Sequence, residues 1–403
     1  MVITKLALDH FRSWDHLLID LAAGVTVFQG ANGLGKTNIV EAIEVLSTGS
    51  SHRVSSTTPL IERGQSVATI RANIVEDTDT EPEPASLSAH KSSEQTENLP
   101  QTTLELSLRL KGANRGRVNS GQSLYMRDIV GRIPSVTFAP DDQQLISAEP
   151  SRRRTFLDQA CALLNREYVG LHQQFTKVAR QRAALLKTLG STDPADPRHS
   201  GALGTLEIWT GQFIALGMEL TKQRAAVIEL LNQPFSRLYT QLSNGNGVAG
   251  LSYEPSFAEV LEYEQPQPEI SRHFQRLYAG ESARGINLIG PQRDDMTVTI
   301  DSIPAKEFAS NGEMWTLALA LKMALVELVE QRFQTRPIVI LDDVFAQLDE
   351  NRRQKILEFA SRQDQVFITV AAASDIPAIS ELDHEGAPIR VIDVEALKEG
   401  EAQ

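Results

Sequence analysis

The stretch Gly30-Ala-Asn-Gly-Leu-Gly-Lys36-Thr37 follows the apolar run Val25-Thr-Val-Phe-Gln29 and precedes Asn-Ile-Val-Glu-Ala-Ile-Glu-Val-Leu. The first run is typical of a buried strand, and the last has the periodic apolar residues of a helix. A loop G-x-x-x-x-G-K-T between a strand and a helix is the P-loop pattern, in which glycines let backbone N–H groups point at phosphate oxygens. The sequence therefore predicts an α/β fold that binds a nucleotide.

The residues of this loop have different predicted roles. Lys36 is expected to reach the β- and γ-phosphates, and the Thr37 hydroxyl is expected to ligate Mg²⁺. The start of the following helix adds partial positive charge toward the phosphates. The predicted nucleotide contacts of the loop are Gly30, Ala31, Asn32, Gly33, Leu34, Gly35, Lys36, Thr37 and Asn38. The expected cofactors are ATP and Mg²⁺.

A second apolar run, Ile338-Val-Ile-Leu341, ends in Asp342 and Asp343. Four apolar residues followed by an acid is the Walker B form, which is weak alone but strong when it accompanies a P-loop. Asp342 is predicted to hold Mg²⁺, and Asp343 to orient or deprotonate the attacking water. Lys36, Asp342 and Asp343 are therefore the predicted catalytic residues. Because parallel strands place ligands at one edge of a sheet, both motifs are expected to meet there.

Composition limits the class of protein. The chain has 403 residues and a hydrophobic fraction of 41%, which suits a globular protein with a core. It contains no run of about 18 apolar residues, so no membrane association is expected. The single cysteine, Cys161, excludes an internal disulfide and a cysteine-based metal site, and it favours the cytoplasm.

Charge is unevenly distributed along the chain. The net charge of −13 argues at first against a nucleic-acid partner. Residues 76–100 contribute −6 and residues 391–403 contribute −3, so the remaining body is close to −4. A local basic surface is therefore compatible with the composition. Residues 76–100 are predicted to be a disordered acidic insertion between two strands, Ala68–Val75 and Thr102–Leu110.

Two long helical patterns follow. Apolar residues at alternating four- and three-residue spacing run from Leu157 to Leu185, interrupted by Arg182. A second such run extends from Leu206 to Leu230 and is interrupted by Gln223. The simplest interpretation is an antiparallel helical hairpin that forms an arm. The alternative is two ordinary amphipathic helices on a core.

The residues Ser310-Asn-Gly-Glu313 open an apolar helix ahead of the Walker B strand. A serine at a helix start can be a simple N-cap, but at this position the stretch resembles the ABC signature motif. In that superfamily the signature contacts the γ-phosphate bound on the other protomer. Ala346-Gln-Leu-Asp349 similarly resembles the D-loop. The resemblance assigns Ser310, Gly312 and Asp349 to the nucleotide held by a second copy.

Further stretches resemble the RecF family, and together they cover residues 1 to about 370 in order. They are Phe11-Arg-Ser, Ser51-His-Arg53, Phe138-Ala-Pro-Asp-Asp142, Arg152-Arg-Arg154, Phe156-Leu-Asp158, Gly290-Pro-Gln-Arg-Asp-Asp295 and Asp342-Asp-Val-Phe-Ala-Gln-Leu-Asp349. The chain departs from the family pattern by the insertion 76–100 and at three further places. Gln292 replaces a histidine, Glu313-Met-Trp-Thr316 replaces Gln-Gln-Arg-Thr, and Ala371-Ala-Ala373 stands where the family tends to have a Thr- or His-bearing switch.

The resemblance implies an α/β P-loop head of the ABC ATPase type with an inserted helical, coiled-coil-like arm. The predicted domains are a first head part (1–145), a helical arm (146–285) and a second head part (286–403). The resemblance also implies an ATP-dependent homodimer on gapped or junction duplex DNA, which partners RecR, with RecO as a further candidate. Slow, DNA-stimulated hydrolysis would release it. The implied setting is cytoplasmic DNA repair and replication, recombinase loading at gaps and the SOS response.

Candidates for DNA phosphate contacts are Arg152, Arg153, Arg154, Lys177, Arg180 and Arg182, although a solvated charged helix face has the same pattern. The acidic insertion is a hypothetical competitor of DNA for such a surface. A transporter subunit would lack the helical insertion, and an SMC structural protein would need far longer coiled coils. An ATP-gated scaffold with vestigial hydrolysis stays the alternative, because of Glu313 and the missing switch residue.

Overall fold

The computed structural model describes residues 1–54, 56–75, 101–191, 193, 197–345, 348–372 and 389–401. The chain forms two compact units, one from Met1–Pro140 with Val329–Gln403 and the other from Asp141–Leu328. The domain boundaries predicted after residues 145 and 285 stay a prediction. The predicted acidic insertion, 76–100, lies outside the described residues.

The first unit contains an antiparallel sheet in which the described strands follow the order β2-β1-β4-β5-β6-β7. Its strands are β1 (Val2–Phe11), β2 (Trp14–Asp20), β4 (Val67–Val75), β5 (Gln101–Arg109), β6 (Arg115–Val118) and β7 (Leu124–Tyr125). Side chains of β4 alternate between buried and half-buried along the strand, as expected for a sheet with one face on a core. The two predicted strands are confirmed as β4 and β5, and they pair with Val75 opposite Gln101.

The same unit contains a parallel sheet in which the described strands follow the order β14-β3-β13-β12-β8. The strands are β3 (Gly24–Gln29), β8 (Ser135–Phe138), β12 (Ile338–Asp342), β13 (Gln365–Val370) and β14 (Arg390–Asp393). The helices of this unit are α1 (Lys36–Thr48), α10 (Glu350–Ala360) and α11 (Val394–Glu401). Ile39 and Ile43 of α1 share one apolar core with Leu6 of β1 and Ile340 of β12, so α1 is held by both sheets.

The second unit is mostly helical and includes a small antiparallel sheet. Its helices are α2 (Gln144–Ser147), α3 (Pro150–Leu164), α4 (Glu167–Ser191), α5 (Pro197–Leu242), α6 (Glu259–Glu262), α7 (Pro266–Arg284), α8 (Ala305–Phe308) and α9 (Asn311–Phe333), the last of which ends in the first unit. Its strands are β9 (Ala249–Glu254), β10 (Asp295–Ile300) and β11 (Ile303–Pro304). Short 3₁₀ helices occur in both units, at Thr58–Leu60, Met126–Asp128, Pro140–Gln143 and Pro291–Arg293.

Helices α4 and α5 pack side by side in opposite directions. The rings of Phe175 and Phe213 lie 4.9 Å apart, and Leu189, later in α4, joins a cluster with Leu206, earlier in α5. The predicted antiparallel pairing is therefore confirmed. Helix α7 packs on the same pair, since Phe274 contacts Phe213 edge-on at 5.8 Å.

The first helical pattern is broken in a way that its periodicity did not indicate. Asn165 ends α3, with its backbone N–H bonded to the Cys161 carbonyl, and its side-chain oxygen accepts the backbone N–H of Glu167 at 3.0 Å. That side-chain bond satisfies an unpaired donor at the start of α4. The interpretation of residues 157–185 as one continuous helix was therefore wrong, because the apolar stripe continues across a capped break.

Candidate nucleotide-binding site

The carboxyl ends of three parallel strands meet beside the glycine-rich loop. Strand β13 lies between β3 and β12, with Gln29 opposite Val370 and Asp342 opposite Thr369. The loop 30–35 connects β3 to α1 and opens on this edge of the sheet. The topology thus brings the P-loop and the acid at the end of β12 together, as expected for ligand sites in parallel sheets.

Glycine is needed at position 35 for two reasons. Its φ of 100° lies in the left-handed region, which L side chains rarely adopt. A Cβ atom there would also lie 2.8 Å from Ser13 Oγ and 2.9 Å from Trp14 Nε1. The buried Trp14 indole donates a hydrogen bond to the Gly35 carbonyl at 3.1 Å. The turn after β1 therefore supports the loop directly.

The Lys36 ammonium group is held over the loop. Its Nζ donates to the carbonyls of Gly30 at 2.6 Å and Ala31 at 3.1 Å. Burial lowers the pKa of Lys36 from its ordinary value, while the charges of Asp343 and Asp342 oppose that shift. The lysine thus places a cation at the sheet edge where phosphates are expected, within electrostatic range of both predicted Walker B acids.

Thr37 and Asp342 form the pair predicted to hold a metal ion. The Thr37 hydroxyl donates to Asp342 Oδ1 at 2.9 Å. Both are oxygen ligands of the hard type that Mg²⁺ prefers, and one lies on the loop while the other ends a neighbouring strand. Burial raises the pKa of Asp342, and hydrogen bonds from Thr369 and Thr37 oppose the rise. The donor set therefore fits Mg²⁺, whose charge would favour the ionised carboxylate.

Thr369 is a site residue that the sequence analysis missed. Its hydroxyl donates to Asp342 Oδ1 at 2.6 Å and accepts the backbone N–H of Asp343 at 2.9 Å. Asp343 has a φ of 52°, unusual for a residue other than glycine. Thr369 thus fixes one acid by its side chain and the other by its backbone. A hydroxyl residue in the wholly buried strand β13 was the available signal.

Replacing Thr369 with valine keeps the volume but removes the hydroxyl. A hydrogen bond to a charged group contributes about 1.5–3 kcal/mol, so ATP turnover is expected to fall roughly ten- to a hundred-fold if the bond acts mainly in the reacting state. Steady-state phosphate release would measure this. Thr369→Ser restores the hydroxyl and is expected to retain most activity. Equal losses in both variants would contradict the positioning role.

A buried carboxylate of α1, that of Glu41, binds side chains from two neighbouring segments of the chain. Glu41 accepts two bonds from Arg12, at 2.6 and 2.9 Å, one from Ser51 at 2.6 Å and one from Arg53 at 3.0 Å. Burial alone would raise the pKa of Glu41, but these partners lower it below its ordinary value. Arg53 also donates to Asn38 Oδ1. The stretches Phe11-Arg-Ser and Ser51-His-Arg53 therefore converge on the helix that follows the P-loop.

Comparison with known proteins supports the family resemblance that these stretches carry. A family model described as the RecF/RecN/SMC N terminal domain matches residues 2–382. The chain is 57% identical over 400 residues to DNA replication and repair protein RecF of Bifidobacterium adolescentis, covering 99% of this chain and 92% of that protein. This chain belongs to the RecF family. The protein of the same name from Streptomyces avermitilis is 35% identical over 383 residues, 94% of this chain and 96% of that protein.

The fold also matches that of a solved RecF. A structure described as the recombination mediator protein RecF-ATPrS in the RecFOR pathway has a TM-score of 0.78 and 25% identity, over 98% of this chain and 96% of that one. The predicted fold class, an ABC-type P-loop head with an inserted helical arm, is therefore confirmed. None of the helices formed by the described residues is long and apolar enough to span a membrane.

The stretch Ser310–Glu313, which resembles the ABC signature motif, forms a capping box at the start of α9. The Ser310 hydroxyl and backbone N–H donate to Glu313 at 2.7 and 2.8 Å, and the Glu313 N–H returns a bond to the hydroxyl. Hydrogen bonds from Ser310 lower the pKa of Glu313. The Gly312 carbonyl accepts a bond from Thr316. The unusual Glu313 is therefore bound to the serine predicted to contact phosphate in a second copy.

Asp349 begins the helix after the D-loop stretch. Its carboxylate accepts the backbone N–H of Arg352 at 2.9 Å, as an N-cap does. Ala346 and Gln347, the first two residues of the D-loop stretch, lie outside the described residues. The contact of Asp349 with a nucleotide of a second copy stays a prediction.

Two predicted DNA contacts are corrected. Arg153 is buried, and two of its nitrogens bond Asp295 at 2.6 and 2.9 Å. Arg182 is also buried and forms a similar pair with Glu281 at 2.6 and 3.0 Å. Their guanidinium groups have no access to a DNA phosphate, and both contacts are withdrawn.

The remaining predicted DNA contacts differ in exposure. Arg152 and Arg154 are both half-buried, and Arg154 donates a hydrogen bond to the Asp294 carbonyl. Lys177 and Arg180 are exposed on α4 and stay candidates.

A basic surface that was not among the predicted DNA contacts lies at the edge of the antiparallel sheet. Residues 109–132 carry six arginines or lysines and one acid, a net charge of +5 within a chain of −13. Pairing places Ser107, Arg115 and Tyr125 side by side on β5, β6 and β7. The exposed Tyr125 ring lies 4.1 Å from the Arg115 guanidinium carbon and 4.8 Å from that of Arg127. This surface was not predicted because its cations lie on short strands and the segments between them, whereas the predicted DNA contacts lie on helices.

Proposed function

We propose that this chain binds ATP with Mg²⁺ at loop residues 30–38 and hydrolyses it slowly. The observation that carries the proposal is the hydrogen-bonded group of Thr37, Asp342 and Thr369 beside the P-loop lysine. Bound Mg²⁺ would neutralise charge on the β- and γ-phosphate oxygens. Lys36 would exchange its loop carbonyl partners for phosphate oxygens, and the N–H groups of the loop would hold the remaining oxygens.

Asp343 is the residue proposed to orient the attacking water and accept its proton. It follows the metal-binding acid directly, and its backbone is held by Thr369. Its carboxylate also lies close enough to Lys36 to influence the pKa of that lysine. A carboxylate fixed in this way is suited to general-base catalysis, for which geometry is the first requirement.

ATP is proposed to bridge two copies of the chain. In that arrangement Ser310, Gly312 and Asp349 would contact the nucleotide held by the partner. Ser310 is exposed at the N-terminus of a long helix, where N–H groups and the helix dipole favour an anion. Glu313 already accepts the Ser310 hydroxyl, so the phosphate would compete with this carboxylate for the same donor.

The proposed biological role is recombinational gap repair in the cytoplasm. The solved relative is described as a recombination mediator in the RecFOR pathway, and on this basis we propose RecR and RecO as partners. The ATP-bound dimer would hold duplex DNA at gaps or junctions and aid recombinase loading. Slow, DNA-stimulated hydrolysis would release it.

The edge surface formed by residues 109–132 is proposed to contact DNA phosphates. Arg115, Arg117 and Arg127 are its central cations. The ion pairs of the last two are long, since Arg117 lies 3.9 Å from Glu105 and Arg127 lies 3.8 Å from Asp128. Loosely paired arginines keep most of their charge available to phosphate. The aromatic Tyr125 between Arg115 and Arg127 adds a flat face to the surface.

Replacing Arg115, Arg117 and Arg127 together with alanine is expected to weaken duplex binding. Loss of three phosphate contacts would lower the slope of log K against log salt by about 2.7. Fluorescence anisotropy over a salt series would measure both the affinity for duplex DNA and its dependence on salt. The matched control replaces Arg272, Arg276 and Arg284, exposed on α7. An unchanged salt slope in the first variant would contradict this surface.

One alternative is supported by a specific contact. The bond between Ser310 and Glu313 occupies the signature hydroxyl, which would suit an ATP-gated scaffold whose hydrolysis is vestigial. Light scattering and phosphate release, measured on the same sample, separate the two functions. Dimerisation by ATP without turnover would support the scaffold, whereas dimerisation with turnover would support the ATPase.

A further inference from the structure

Two imidazoles and several carboxylates surround the turn between β1 and β2. His10 Nδ1 lies 2.7 Å from Asp15 Oδ1 and 2.8 Å from Glu62 Oε2. His16 Nε2 lies 3.8 Å from the same Asp15 oxygen. The candidate ligand atoms of His10, Asp15 and His16 all lie within 4.8 Å of one another. The backbone N–H of Glu62 also bonds the His10 carbonyl, which fixes Glu62 beside this group.

These spacings are close to those of a tetrahedral metal site. Bonds of ~2.1 Å at tetrahedral angles put neighbouring ligand atoms ~3.4 Å apart. The observed separations of 2.7, 2.8 and 3.8 Å lie on both sides of that value. Small side-chain rotations would therefore suffice to place the ligand atoms of His10, Asp15 and His16 around one ion, with water in the fourth position.

A carboxylate behind His16 completes the arrangement. Asp9 Oδ1 lies 3.0 Å from His16 Nδ1, and the other Asp9 oxygen accepts a bond from Arg71 at 2.5 Å. A carboxylate that binds one ring nitrogen fixes the proton there, so the lone pair that can bind a metal lies on the other nitrogen. Asp9 would thus leave Nε2 of His16 as the ligand, on the side of Asp15.

Charge and ligand type favour a divalent transition ion. The carboxylates of Asp9, Asp15 and Glu62, together with Arg71, give a net charge of −2 when both histidines are neutral. Two imidazoles with carboxylates suit Zn²⁺, whereas Mg²⁺ prefers oxygen ligands alone. We propose that His10, Asp15 and His16 bind one zinc-type divalent ion, with Asp9 orienting His16 and Glu62 beside His10.

The backbone around the ligands is unusual. His10 and Arg12 have φ values of 50° and 58°, in the left-handed region that residues other than glycine rarely enter. Such conformations persist where their surroundings over-determine them, often at ligand sites. The turn also carries Ser13, which accepts a bond from Asn38, and Trp14, which supports Gly35. A bound ion would clamp the hairpin whose tip supports the P-loop.

The site is tested by titrating Zn²⁺ into the full-length chain without nucleotide, in excess Mg²⁺ to occupy oxygen-only sites. Isothermal titration calorimetry is expected to find one ion per chain. Zn²⁺ should also raise the melting temperature, since it binds the folded state. Cys161, the single cysteine, is buried, so thiols do not compete for the ion.

Variants distinguish the proposed histidine ligands from Asp9, the residue proposed to orient His16. His10→Ala with His16→Ala should abolish the high-affinity site, whereas Asp9→Asn should weaken it about 10- to 100-fold. His273→Ala is the matched control, because His273 pairs with Glu259 at a similar exposure of 31%. Circular dichroism checks that each variant folds. No Zn²⁺ binding by the unaltered chain, or equal binding by the double variant, would overturn the proposal. This inference is independent of the proposed ATPase.

Discussion

Asp343→Asn is expected to lower ATP turnover by about 100- to 10,000-fold, the range in which a general base contributes to catalysis. Asparagine has nearly the same shape but cannot accept a proton at neutral pH. The Asp343 backbone N–H is bonded to Thr369, and that contact does not involve the altered side chain. Steady-state phosphate release measures the loss.

ATP binding should survive this substitution. The loop residues, Lys36 and the pair of Thr37 and Asp342 are unchanged, so ATP affinity is expected to stay within a few-fold. Loss of turnover with retained binding would trap the proposed ATP-bound dimer, visible by light scattering. Asp364→Asn is the matched control, since Asp364 is half-exposed and pairs with Arg336. Turnover close to normal in Asp343→Asn would assign the base elsewhere.

Arg224→Leu is expected to destabilise the second unit by about 3–5 kcal/mol, the usual cost of removing one partner from a buried ion pair. Arg224 bonds Asp294 at 2.8 Å, Asp158 at 2.8 Å and the Pro291 carbonyl at 2.7 Å. Leucine would leave Asp294 buried with its cation removed. Urea denaturation followed by circular dichroism measures the loss.

The control for Arg224→Leu is another arginine of α5. Arg237 pairs with Glu327 but is exposed by 49%, and exposed pairs contribute little to stability. Arg237→Leu is therefore expected to change the free energy of unfolding by less than about 1 kcal/mol. Similar stabilities for the two leucine variants would contradict the structural role of Arg224.

The candidate nucleotide site could be predicted from sequence because its signals are local. Glycine spacing, one lysine and the two flanking apolar runs identify the P-loop within a short stretch. The Walker B acids follow one buried strand, and the parallel topology then brings them together. Thr369 escaped prediction because its role depends on the register between β12 and β13, which no local pattern specifies.

The two mistaken DNA contacts had one common cause, since each arginine pairs with a residue distant in sequence. Arg182 looked like a charged interruption of an apolar stripe, but its partner Glu281 lies in α7. Arg153 similarly finds Asp295 at the start of β10. Buried arginines are stable only when paired, and the pairing is decided by tertiary structure. The basic edge surface was missed for a related reason, because strand pairing assembles Arg115 and Tyr125.

ATP turnover with and without duplex DNA, measured beside Lys36→Arg, tests the central claim most directly. The close contacts of Lys36 with loop carbonyls leave little room for a planar guanidinium group. The account predicts Mg²⁺-dependent turnover that DNA stimulates and that Lys36→Arg abolishes. Turnover that persists in Lys36→Arg would contradict the assigned site. Turnover indifferent to DNA would contradict the coupling of hydrolysis to DNA binding.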